Sequence, residues 1–298
     1  MPLLALLSFM IGAGCEEGTK ARFTIVATTS MLGDAVQQIV QDKAKVITLM
    51  GPGVDPHDYK ATQQDVKHLR QADVVFYNGL HLEGKMADVL HKLRSKKKVY
   101  AAADVIKSHQ LRVDPEFAAG VDPHIWFSVP IWKQVVQYVS KQLQAADPDY
   151  AAYYKENTVR YLEQLTALHQ KTLQAIQNIL PAQRVLITAH DAFGYFGRAY
   201  NMEVRGLQGI STVSEFGLKD ITDLVQFIIN RNIKAIFIET SIPDKPLKAV
   251  IEGCKKRGHE VVIGGELYSD ALGEAGTLEG TYHGMVQANV QTIVNALK

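Results

Sequence analysis

Residues 148–180 read PDYAAYYKENTVRYLEQLTALHQKTLQAIQNIL, opened by Pro148, closed by Pro181, and free of Gly or Pro in between. Proline just inside the start and just past the end brackets a helix, and apolar residues at Tyr154, Val159, Leu162, Leu165, Leu168, Leu173 and Ile176 supply a face for it. One helix of about 45–50 Å is predicted from the standard rise per residue. The apolar spacing is too irregular for sustained heptads, so the segment reads as a connector rather than a coiled-coil strand. Without an internal Gly or Pro it should also resist sharp bending.

On both sides of this helix the pattern alternates. Upstream, short apolar runs predict strands at 22–27, 45–49, 73–77 and 98–102, separated by helical periods at 31–42, 61–71, 85–93 and 130–145. Downstream, strands at 184–188, 203–207, 235–238 and 260–263 alternate with helices at 192–200, 218–230, 245–256 and 282–297. Strands followed by helices argue for parallel α/β layers. The expected fold is therefore α/β with two lobes, residues 15–146 and 182–298, each a small parallel four-stranded sheet flanked by helices, joined by a backbone helix at 147–181.

The chain has 298 residues, 47% hydrophobic and 21% charged, with a formal net charge of +1. That suffices for two cores of ordinary size. Near-neutrality gives no electrostatic case for nucleic acid, and Lys96-Lys97-Lys98 reads as a solvated run before a strand. Residues 2–14 are apolar or small, carry no charge, are too short to span a bilayer, and end in Gly12-Ala13-Gly14-Cys15. This resembles a bacterial lipoprotein signal, with residues 1–14 removed and Cys15 lipidated, although no Lys or Arg precedes the apolar run. Cys254 then has no partner and is expected to be a buried, inert thiol.

The chemistry lies in a repeat. Val54-Asp55-Pro56-His57 recurs as Val121-Asp122-Pro123-His124. Each proline fixes its own φ and pushes the preceding aspartate into extended backbone, so each histidine is presented on a stiffened turn. Asp-Pro is ordinary turn punctuation taken singly; two copies ending in histidine point instead to metal ligands. His190 follows a predicted strand directly, and a carboxylate follows the strand at 260–263, where Asp270, Glu266 and Glu274 compete. Ligands in parallel α/β layers gather beyond the carboxyl ends of strands, and all these candidates lie there, two from each lobe. Three imidazoles and a carboxylate suit zinc and are acceptable to manganese or iron. Four protein ligands leave no position for a reactive water, and there is no His-Glu-x-x-His helix, so binding is favoured over hydrolysis.

Other features carry less. His68, His91, His169 and His283 fall on predicted helices, where a lone histidine has many polar roles, and His109 in a loop is at most an auxiliary metal-capturing residue. Gly79 to Met86 matches G-x-x-x-x-G-K, but Met86 stands where magnesium needs a hydroxyl, and bulky or acidic residues fill the phosphate loop, which excludes nucleotide binding. Asp55, Asp122, Asp191 and Glu239 are candidate partners for the second nitrogens of the imidazoles, and Trp126 could shield them from water.

Five ordered stretches carry a resemblance: Val54 to Tyr59, Asn78 to Glu83, Asp122 to Trp126, Thr188 to Phe196 and Gly264 to Asp270. Together they resemble the metal-binding solute-binding lipoproteins of ABC importers, the TroA-like zinc- and manganese-binding family. The resemblance implies a metal buried between two lobes and held by His57, His124, His190 and Asp270. It further implies extracytoplasmic capture of zinc, or alternatively manganese, by a lipid-anchored monomer that delivers its ion to a membrane permease. A surface adhesin built on the same fold and a zinc hydrolase are the rival functions.

Overall fold

The computed structural model describes residues 23–114, 120–213 and 216–298. The expected leader at residues 1–14 and Cys15 lie outside the described residues. In the first lobe, β1 (Thr24–Ala27), β2 (Lys45–Thr48), β3 (Val74–Tyr77) and β4 (Lys98–Ala101) form one parallel sheet in the order β2-β1-β3-β4. Ile25, Val26 and Ala27 of β1 are fully buried, as expected for an inner strand covered on both faces. The covering helices are α1 (Ser30–Val40), α2 (Gln63–Gln71), α3 (Ala87–Arg94) and α4 (Val129–Ala146). Thr62 opens α2 with a capping box, its hydroxyl accepting from the Asp65 N–H while Asp65 accepts from the Thr62 N–H.

In the second lobe, β5 (Val185–His190) pairs with β6 (Glu203–Gln208), and β7 (Ala235–Glu239) pairs with β8 (Val262–Leu267), both in parallel. The two pairs stand side by side, with β5 next to β7. Around them pack α6 (Gly194–Tyr200), α7 (Leu218–Asn230), α8 (Lys245–Lys256) and α9 (Tyr282–Leu297). Strand β8 runs further than its sequence predicts. Gly264 and Gly265 look like a strand end, but the ladder continues through them past a register shift opposite Ile236 and Phe237. A side chain at either glycine would collide with Ala296 or Thr292 of α9, so their bareness lets that helix close on the sheet.

The connector is α5 (Ala151–Gln177), led by a 3-10 turn at Pro148–Tyr150 and about 40 Å long at the usual rise. Its buried face is Tyr154, Asn157, Thr158, Tyr161, Leu165, Leu168, Thr172 and Ile176. Val159, expected on that face, is 50% exposed. The irregular apolar spacing arises because polar residues complete the stripe: Asn157 Nδ2 donates to the Ile39 carbonyl at 2.8 Å, and Thr158 shares a 2.6 Å hydroxyl contact with Ser140. The helix packs on α1 and α4 of one lobe and α9 of the other. One continuous apolar core runs from Ile25 through Leu165 and Leu168 to Leu297, with a smaller cluster on the outer side of each lobe. Cys254 is fully buried in the second-lobe cluster as a free thiol. Among the described residues no helix is long and apolar enough to cross a membrane.

Candidate metal centre

His57 lies in the loop after β2, His124 just before a 3-10 turn at Ile125–Phe127, His190 at the last position of β5, and Asp270 in the loop past β8. The fold brings these four together between the lobes: one potential ligand atom from each lies within 4.8 Å of all the others. His57 Nε2 is 3.2 Å from His124 Nε2, and Asp270 stands 3.5 Å from His124 Nε2 and 3.3 Å from His190 Nε2. His124 and His190 are fully buried, and His57 and Asp270 nearly so. The competing carboxylates, Glu266 and Glu274, are exposed.

The repeat builds both first-lobe histidines alike, and it is one residue longer than the tetrapeptide. Gly53 and Gly120 precede the two copies at φ of +68° and +73°, a left-handed conformation that glycine adopts without strain. Asp55 Oδ1 then accepts the His57 backbone N–H at 2.8 Å, and Asp122 Oδ1 accepts the His124 N–H at 2.9 Å. Beyond that the copies diverge. Asp122 Oδ1 also lies 2.7 Å from His124 Nδ1, fixing the ring with Nε2 toward the centre. Asp55 turns its other oxygen outward to accept from Thr212 Oγ1 of the opposite lobe at 2.6 Å.

Glu239, at the end of β7, serves His190. Its Oε1 accepts the His190 backbone N–H at 2.9 Å, and its Oε2 stands 2.7 Å from His190 Nδ1. Asp191 plays a different part: Arg112 spans from Asp122 Oδ2 at 2.8 Å to Asp191 Oδ2 at 2.7 Å, tying the lobes beside the two braced histidines. Trp126 does wall the site, its ring 5.2 Å from that of His124, and its Nε1–H donates to the Ser269 carbonyl at 2.9 Å, pinning the Asp270 loop. Glu83, inside the stretch that mimics a phosphate loop, is a buried carboxylate accepting from Thr28 Oγ1 and from the N–H groups of Asn78 and Gly79. Asn78 Nδ2 in turn donates to the Pro123 carbonyl, immediately before His124.

Electrostatics sharpen the arrangement. Burial pushes His57 down to about 3, so its ring is neutral near pH 7. Burial would do the same to His124, but Asp122, aided by Asp270, holds it up at about 8. Against the same burial, Glu239 and Asp270 raise His190 well above its ordinary value. Asp270 is kept well below the carboxylate range by His190 and His124 despite its burial. Both Asp270 oxygens and both His190 ring nitrogens still lack an aligned hydrogen-bond partner. Buried polar atoms left in that condition are costly, and a cation at their common focus would satisfy them. The donor set of imidazole nitrogens and one carboxylate suits a divalent transition ion.

Arg112, Glu83, Thr212 and the two glycines were not singled out by the sequence. A glycine ahead of both repeats was a usable signal, whereas the cross-lobe partners of Arg112 and Thr212 lie 79 and 157 residues away. Because Arg112 separates the fully buried Asp122 carboxylate from Asp191, Arg112→Met should destabilise the metal-free protein by about 3 kcal/mol, the lower end for breaking a buried pair. Urea unfolding checks this, and a change under about 0.5 kcal/mol, typical of a surface substitution, would refute the bridging role.

Comparison with known proteins agrees in sequence and in shape. The chain is 47% identical over 292 residues to the manganese-binding lipoprotein MntA of Bacillus subtilis (strain 168), covering 97% of this chain and 95% of the relative. It is 48% identical over 273 residues to the zinc-binding protein TroA of Treponema pallidum (strain Nichols), covering 92% and 88%. The solved structure of periplasmic TroA from Treponema pallidum superposes with a TM-score of 0.90 at 47% identity, covering 93% of this chain and 99% of that one. Residues 25–296 match the family described as ZnuA, zinc-uptake complex component A periplasmic, and the chain belongs to this family of metal-binding, periplasmic solute-binding proteins.

Proposed function

We propose that His57, His124, His190 and Asp270 hold a single divalent transition ion as cargo, captured outside the cytoplasm and handed to an ABC-type importer. The observation that carries this reading is the convergence of four buried ligand atoms, two from each lobe, within 4.8 Å. Asp122 and Glu239, the carboxylates beside the His124 and His190 rings, each stand 2.7 Å from an imidazole Nδ1, so neither is a free base for activating water. Zinc is the preferred cargo and manganese the alternative, since three imidazoles with one carboxylate suit zinc and are acceptable to manganese. Similarity to proteins named for manganese binding and for zinc binding supports both. The protein acts as a monomer, tethered to the membrane by lipidated Cys15, and docks on a permease to release the ion.

Release follows from the architecture. The lobes share one core along α5, which disfavours wide opening, whereas the ligands sit on loops and strand ends that can shift locally. Thr212, held to Asp55, and Ser269, held to Trp126, make two of the cross-lobe contacts such a shift would break, beside the Arg112 bridge. The test is metal accumulation in cells of the source organism lacking this chain. Zinc or manganese uptake at limiting supply should fall, and should be restored by the chain but not by His190→Ala. Unchanged uptake of both ions, or full restoration by the variant, would refute delivery through this site.

A further inference from the structure

We propose that the end of the first lobe remote from the metal centre is a docking surface for anionic lipid headgroups. The parallel register sets the amino ends of the strands in one row, with Thr24 opposite Lys45 and Val74 opposite Lys98. Helices α2 and α3 run back against the strands and finish at the same edge, at Gln71 and Arg94. The row is basic: Lys45, Arg70, Lys92, Lys96 and Lys98 are exposed there, and Lys67 lies one turn up α2. Lys97 turns inward, its Nζ on the carbonyls of Arg70 and Ala72, which brings the Lys96–Lys98 run against the end of α2. Among the described residues none of the six exposed cations is in an ion pair. Nearby acids are few: Asp73 accepts the Thr24 N–H at 2.8 Å, and Asp42 contacts Lys43 at 3.0 Å. With a net charge of +1 for the whole chain, this concentration is a property of one edge rather than of the protein.

The route of the chain names the partner. Between Cys15 and β1 lie residues 16–23, which reach at most about 28 Å when fully extended. They enter the sheet at Thr24, in the middle of the basic row, with Lys20 and Arg22 just ahead of it. The inference rests on the reading of Cys15 as the lipidated residue: a short tether holds this edge close to a bilayer, where each Lys or Arg near an anionic surface adds attraction that fades over a Debye length of about 10 Å. The strands' carboxyl ends, and with them the metal ligands, then lie away from the lipid. A contact of this kind is weak enough to let go when the protein docks on a permease.

The experiment uses the chain from Glu16, without lipid, and sedimentation with vesicles of phosphatidylglycerol and phosphatidylcholine in equal parts, or of phosphatidylcholine alone. Binding is expected to the anionic vesicles only, and to disappear as salt is raised. Reversing the edge with Arg70→Glu, Lys96→Glu and Lys98→Glu together should lower vesicle affinity at least about tenfold, with metal binding unchanged. The matched reversal of Lys255, Lys256 and Arg257 at the end of α8 makes the same change in net charge on the other lobe and should leave affinity within about twofold, if position rather than total charge decides. No binding to anionic vesicles, or equal losses from the two triple variants, would overturn the proposal. Acyl labelling of Cys15 in cells is read separately, so an unmodified cysteine would remove the tether without altering the vesicle result.

Discussion

Asp270→Ala is expected to weaken zinc binding by about three orders of magnitude, the equivalent of roughly 4 kcal/mol for removing one member of a buried charged set. Asp270 is the one anion among the four converging groups, and its two oxygens face His124 and His190. Without it a dication would enter a buried pocket lined by imidazoles alone, with the nearby carboxylates of Asp122 and Glu239 turned to the far sides of His124 and His190. The same change should lower the proton affinity of His124 and His190, because Asp270 helps to raise both. Competition against a chelator of known affinity measures the loss. A variant within about tenfold of the parent, the scale of an outer-sphere effect, would remove Asp270 from the ligand set.

The second large effect is on pH. Metal binds the unprotonated imidazole, so any ring protonated in the metal-free protein must lose its proton first. His57, down at about 3, needs no such step above pH 4. His124, up at about 8, and His190, raised well above 6.5, both do. Apparent affinity should therefore climb steeply with pH through the neutral range, approaching about a hundredfold per pH unit where both rings are protonated and two protons leave for each ion, and level off once they are neutral. Stability moves the opposite way in the metal-free protein. A histidine raised on folding contributes stability that is complete below its unfolded value near 6.5 and is lost as pH rises through 8. The stabilisation conferred by zinc should consequently widen from pH 6 to pH 8. Calorimetric titration in buffers of different ionisation enthalpy counts the protons released. A count near zero at pH 7 would show that Asp122 and Glu239 orient these rings without holding them protonated.

Much of this molecule is legible in the sequence because short β-branched runs and amphipathic periods leave few alternatives. Helices α7, α8 and α9 begin and end where their periodicity places them. The doubled tetrapeptide marks two of the four converging groups without any fold, since proline geometry is local. What escaped is non-local. Spacing alone leaves Asp270, Glu266 and Glu274 open and only the family resemblance favours Asp270; the physical difference, Asp270 buried and both glutamates in solvent, appears in the packed structure. Glu239 could be named as a partner for one of the imidazoles, but that it serves His190, 49 residues earlier, is set by β5 lying beside β7. The polar half of the α5 stripe was hidden for a related reason: Asn157 and Thr172 are buried because the groups they meet satisfy them, and hydropathy alone cannot see that.

The central claim is that four residues converge on one divalent ion. Elemental mass spectrometry of the chain from Glu16, purified beside Asp270→Ala after exposure to zinc and manganese together, tests it most directly. About one ion per parent chain and next to none per variant is the expected result for a four-ligand centre. A parent chain without metal, or a variant that retains a full equivalent, would contradict it.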